Sequence, residues 1–211
     1  GPVNIFDVAS GNELHSIDTP GGSRVVAFDP AGTTLGVGSA NKLLLWSLET
    51  GALAHEVDGG GTVYDFAFSS DGQALVMCSS NSRWVRLVDA TTGRDIRNIT
   101  HNASVDSVAF SADGAKIAIG ERFGTVRLFN LSDGTEIRRI FAAHRNQYVT
   151  ALAFSPDGTM LASGGRDDTA RIWCLTEPCV FSSVANPAPA GVTFSLVPMV
   201  VCASLMSFCF S

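Results

Sequence analysis

Apolar and polar residues alternate in short runs along the first 174 positions of the chain. Val149-Thr150-Ala151-Leu152-Ala153-Phe154 and Val105-Asp106-Ser107-Val108-Ala109-Phe110 have the two-residue period of a half-buried strand. Each run ends on a phenylalanine and passes into a turn. Phe28-Asp29-Pro30-Ala31-Gly32 returns as Phe68-Ser69-Ser70-Asp71-Gly72, as Phe110-Ser111-Ala112-Asp113-Gly114 and as Phe154-Ser155-Pro156-Asp157-Gly158. In the last block Pro156 presets its φ for a tight turn, Asp157 can bond nearby backbone, and Gly158 tolerates a positive φ. The phenylalanines stand 40, 42 and 44 residues apart. A second marker, Gly11, Gly51, Gly93 and Gly134, keeps spacings of 40, 42 and 41.

Two markers on one period of about 40 residues indicate an internal repeat. Within each period a second short run follows the turn, as in Met160–Gly164. A third, rich in β-branched and large apolar residues, follows in Thr169–Cys174, Thr125–Asn130 and Lys42–Ser47. A fourth, such as Glu136–Phe141, closes the unit. No helical stripe is visible. Four short strands bury too little apolar surface alone, so the units must pack against their neighbours.

The repeat resembles the WD40 family of β-propellers. The resemblance rests on Ala143-His144 before the first strand, Ser155–Gly158 in the first hairpin, Leu161–Gly164 on the second strand and Asp167 six residues before Trp173. It implies an all-β fold of radial blades, each a four-stranded antiparallel sheet. It also implies a structural tetrad of His144, Ser163, Asp167 and Trp173. The other repeats depart from it. Gly59-Gly60-Gly61 stands where one histidine belongs. Val88 and Phe129 replace tryptophan in two repeats, and Trp46 has no acidic partner at Ala40 or Asn41.

The expected organisation is about four blades, three full and two partial. Residues 1–18 supply two strands, full blades lie near 24–57, 63–99 and 105–141, and 149–174 forms a blade with three strands and no evident fourth. Seven blades, common in the family, need more chain than this, so the expectation is an incomplete ring from a fragment; a small ring completed by the N-terminal strands is the alternative.

Charge narrows the function. With 14 Lys and Arg against 20 Asp and Glu, the net charge of −6 disfavours a nucleic-acid surface. Arg83, Arg86, Arg122 and Arg127 could form one basic patch, or simply face solvent on third strands and turns. The five cysteines are unevenly spread and suggest no disulfide framework. Without an N-terminal signal pattern a cytoplasmic protein is expected, a nuclear one being the alternative. The segment 175–211 is an apolar tail, uncharged from Cys179 onward. It reads in three ways: as a read-through, as strands packed on the last blade, or as a membrane anchor through 191–211.

No catalytic or metal-ligating constellation stands out, and no cofactor is expected. His144, Ser163 and Asp167 match a hydrolase triad in residue type only. The resemblance implies a non-catalytic scaffold for protein or peptide partners. The face that collects the loops before first strands and the turns after second strands displays Arg145, Gln147, Tyr148, Arg166, Arg122, Phe123, Arg83 and Trp84. Arginine and aromatic residues are favoured interface anchors. Two alternatives are an enzyme-type propeller with a central-channel site and a membrane-tethered WD40 protein. Homo-oligomerisation is left open.

Overall fold

The computed structural model describes residues 1–19, 21–80, 84–100, 103–176 and 194–197. Regular structure among them is entirely β. Strands β1 (Val3–Phe6) and β2 (Glu13–Ile17) pair as a two-stranded sheet. Three antiparallel four-stranded sheets follow in chain order. The first holds β3 (Ser23–Phe28), β4 (Thr34–Ser39), β5 (Lys42–Ser47) and β6 (Ala52–Asp58). The second holds β7 (Val63–Phe68), β8 (Ala74–Ser79), β9 (Trp84–Asp89) and β10 (Asp95–Thr100). The third holds β11 (Val105–Phe110), β12 (Lys116–Glu121), β13 (Val126–Asn130) and β14 (Glu136–Ile140).

The last sheet differs at its edge. Its first three strands, β15 (Val149–Phe154), β16 (Met160–Gly165) and β17 (Ala170–Cys174), form an antiparallel meander. The fourth, β18 (Phe194–Val197), runs parallel to β17 and places Val197 beside Trp173. The blade expected to have three strands therefore has four, the last drawn from the apolar tail. A parallel neighbour cannot follow through a tight hairpin and needs a long connection, which is why no fourth-strand pattern follows Cys174 directly. Cys174 is disulfide-bonded. Among the described residues no helix is long and apolar enough to cross a membrane. The rest of the 191–211 segment lies outside the described residues.

Three of the four hairpins between first and second strands share one construction. The hydroxyls of Ser69, Ser111 and Ser155 donate to Asp71, Asp113 and Asp157 at 2.5–2.6 Å. Each aspartate also accepts a backbone N–H two residues on, as from Thr159 at 3.0 Å. Gly158, at φ 68°, closes the last turn in the left-handed region.

Each sheet shares an apolar core with its neighbours. Leu43, Leu45 and Val57 meet Val63, Phe66, Leu75 and Met77. Val76, Cys78 and Val85 meet Val105, Val108, Ile117 and Ile119. Ala118, Val126 and Leu128 meet Val149, Leu161 and Trp173. The two-stranded sheet covers Leu35, Val37 and Leu44 through Val3, Ile5 and Ile17. Full burial of each Leu, Ile or Val contributes ~1.5–3 kcal/mol, so the sheets are stabilised mainly as a stacked row. First strands β3, β7, β11 and β15 lie side by side along one wall of that row, and the row does not close into a ring among the described residues.

Register defines equivalent positions. Trp46, Val88, Phe129 and Trp173 stand opposite Leu35, Leu75, Ile117 and Leu161. Two residues further along the second strands are Val37, Met77, Ile119 and Ser163. Only the last sheet places a polar side chain in that buried column.

Candidate functional site

Two polar arrangements stand out, one buried and one open. In the last repeat His144 is 0% exposed and Ser163 2%. The Trp173 indole N–H donates to Ser163 Oγ at 2.9 Å, and Ser163 Oγ lies 2.7 Å from His144 Nε2. His144 Nδ1 lies 2.8 Å from Asp167 Oδ1. One assignment satisfies every atom: Trp173 donates to Ser163, Ser163 to Nε2, and Nδ1–H to the carboxylate. Burial raises the Asp167 carboxyl, but hydrogen bonds from His144 and Thr169 outweigh it and hold it below the usual range. Arg171 reaches the other oxygen of Asp167 at 3.3 Å. Ser163 and His144 are both buried and hydrogen-bonded, and the network ties a loop, two strands and a turn together.

The open arrangement lies along the first strands. Each of these has one extra residue against its partner: Arg24 in β3, Tyr64 in β7, Asp106 in β11 and Thr150 in β15. Such bulges re-aim a side chain, and all four stand four residues before the repeat phenylalanine. Arg24, Tyr64, Asp106 and Thr150 line one cavity of about 640 Å³, together with Arg122 and Tyr148.

Arginine and tyrosine alternate across this cavity. The Arg24 guanidinium lies 4.8 Å from the Tyr64 ring centroid, and Arg122 lies 5.2 Å from the same ring. Arg122 is 5.3 Å from the Tyr148 ring, which Arg166 approaches to 4.6 Å. The Arg166 N–H bonds the Tyr148 carbonyl at 2.9 Å, which sets that side chain beside its ring. Arg122 is further fixed by Asp106 Oδ1 at 3.2 Å and by the Tyr64 hydroxyl at 2.8 Å. Asp106 Oδ2 is buried and has no hydrogen-bond partner among the described residues. Asp65 accepts N–H groups from Phe66 and from Val108 of the next sheet. Burial nevertheless raises its carboxyl to about 6, the two backbone bonds opposing that rise.

The candidate surface residues fall into groups. Arg122, Tyr148 and Arg166 line the cavity. Arg145 and Gln147 are exposed on the preceding loop, where Arg145 has a φ of 44°. Phe123 is 65% exposed and Trp84 51%, neither lining the cavity. Arg83 lies outside the described residues, as does His101. Of the arginines suggested as a basic patch, Arg86 pairs with Asp95 at 2.6 Å, buried Arg127 pairs with Glu121 and Glu136, and Arg122 lines the cavity. Sequence reading missed Arg24, Tyr64, Asp65 and Asp106. The signal was their shared place before Phe28, Phe68 and Phe110, once a bulge is allowed there.

Among the described residues no group of three His, Cys, Asp or Glu side chains is arranged to hold a metal.

Repeated four-stranded sheets packed in a row, with first strands along one wall, define a propeller-type repeat protein. Residues 135–174 match the family model "WD domain, G-beta repeat", which together with the recurring sheets supports a WD40-repeat protein. It is 34% identical over 125 residues to WD repeat-containing protein 1 of Bos taurus, covering 56% of this chain and 20% of that protein. It is 25% identical over 143 residues to the Periodic tryptophan protein 2 homolog of Dictyostelium discoideum, covering 65% of this chain and 15% of that protein. It is 31% identical over 97 residues to WD repeat-containing protein SL1-17 of Schistosoma mansoni, covering 45% and 32%. The chain thus spans about a fifth of the length of the bovine relative.

Proposed function

We propose that the chain is a non-catalytic interaction scaffold. It presents the face formed by the loops before its first strands and the turns after its second strands to a protein or peptide partner. One observation carries this reading: an open cavity on the first-strand wall lined by Arg24, Tyr64, Arg122, Tyr148 and Arg166. Arginine and tyrosine give large contact area with directional donors, the combination enriched at binding hot spots. The enclosed His144–Ser163 pair supports the non-catalytic part of the proposal, because a nucleophile must meet its substrate. Relatives named as WD repeat proteins support an interaction role of this general kind.

The test is a charge reversal. Arg145→Glu with Arg166→Glu should remove proteins captured by the full chain while its melting temperature stays near parental. Undiminished capture by the double variant, at equal folded concentration, refutes the assignment of this face.

A further inference from the structure

We infer that the Arg24–Tyr64–Arg122–Tyr148–Arg166 ladder is a receptor for an acidic peptide segment, bound extended with carboxylates at alternate positions. The inference rests on the scaffold reading and specifies the chemistry of its ligand.

Arg24 and Arg166 have no ion-pair partner among the described residues, although the chain carries a net charge of −6. An acidic protein that leaves two guanidiniums unpaired in one cavity holds a local field opposite to its overall charge. The tyrosine rings hold the guanidiniums by their faces, leaving edge N–H groups for an acceptor. A guanidinium edge matches a carboxylate in a two-bond fork. The middle arginine differs. Arg122 is tied to Asp106 and Tyr64 and serves as the fixed rung between two tyrosines. Neighbouring guanidiniums share one ring, a spacing on the order of 7–10 Å, which side chains two residues apart on an extended peptide can bridge.

A nucleic acid suits this surface less well. Tyr64 and Tyr148 each already carry two guanidiniums, so their rings are not free to stack bases. Asp65 and Asp106 in the cavity wall repel a continuous phosphate chain, whereas separated carboxylates can avoid them.

The test uses the full chain and a fluorescein-labelled peptide with glutamate alternating with serine. A glutamine-for-glutamate peptide and a labelled oligothymidylate serve as comparisons, all followed by anisotropy. The glutamate peptide should bind, and added salt should weaken it. Arg24→Gln with Arg166→Gln should weaken it at least tenfold, about 1.4 kcal/mol. Arg94→Gln, an exposed charge outside the cavity, should leave it unchanged. Thermal melts confirm folding, and Arg24→Gln alone serves if the double variant is destabilised.

Equal affinity for the glutamine peptide, equal weakening by Arg94→Gln, or tighter binding of the oligothymidylate overturns the inference. If no acidic peptide binds while the Arg145 and Arg166 reversal still abolishes capture, the ligand class is wrong and the face stands. If capture survives that reversal, the face itself is wrong.

Discussion

Trp46 and Trp173 occupy the same position in two repeats but meet opposite surroundings. The Trp173 indole N–H ends on Ser163 at 2.9 Å, whereas the Trp46 N–H is buried without a hydrogen-bond partner among the described residues. The difference lies two residues along the second strand, where Val37 replaces Ser163. A buried donor left unpaired costs about 1–3 kcal/mol.

Val37→Thr supplies the missing acceptor at nearly constant volume. Burying an unpaired hydroxyl there would cost about 1–3 kcal/mol, so a neutral or stabilising result reports a bond to Trp46. Ile119→Thr is the control, since Phe129 has no N–H to offer at that place. Urea unfolding of both variants checks this: a loss for Val37→Thr as large as for Ile119→Thr refutes it.

Gly165 makes room for His144. A Cβ at Gly165 would stand 2.4 Å from the imidazole, and no positive φ restricts the position. Gly165→Ala should therefore act by collision alone, costing about 1–3 kcal/mol. In a His144→Ala background only the contact with the residue-144 Cβ at 2.8 Å remains, so the same substitution should cost clearly less than in the parent. Additive costs across the double-mutant cycle contradict this account.

Asp65 and the turn carboxylates act on stability in opposite senses. The folded Asp65 carboxyl titrates at about 6, above its ordinary 3.8, so the native state binds the extra proton. Stability should fall as pH rises from about 4 to 6, by up to roughly 3 kcal/mol. Asp113 and Glu136 are lowered to about 2, chiefly by hydrogen bonds from Ser111 and Arg139. Their contribution is present above about 4 and is lost as pH falls toward 2. Denaturant midpoints should peak near pH ~4–5. Asp65→Asn should flatten the slope between 4 and 6; an unchanged slope assigns it to another group.

The repeat was legible because local chemistry marks it. Phenylalanine, a small polar pair and glycine recur wherever a hairpin must turn, and hairpin formation needs only neighbouring residues. The polar chain from Trp173 to Asp167 was implied by the family resemblance, which could be carried over because its members lie within one repeat. The ladder was only half visible. Arg122 and Tyr64 are 58 residues apart, and their contact depends on two sheets lying side by side. A bulge adds one residue to a strand and barely disturbs the apolar alternation, so it leaves no periodic trace. The parallel β18 was hidden for a related reason: its partner residues lie 24 positions earlier and no turn motif joins them.

Two side chains at the bulges also cross between sheets. Asp65 accepts the Val108 N–H at 3.0 Å, and Ser107 donates to the Val149 carbonyl at 3.0 Å. They work as tie-rods along the wall that carries the ladder. Rotating one sheet against the next would break a hydrogen bond as well as part an apolar core. The rungs are thereby held at fixed spacing before any ligand arrives, so little freedom remains to be lost on binding. A partner must match that spacing, because the wall has little capacity to adjust to it.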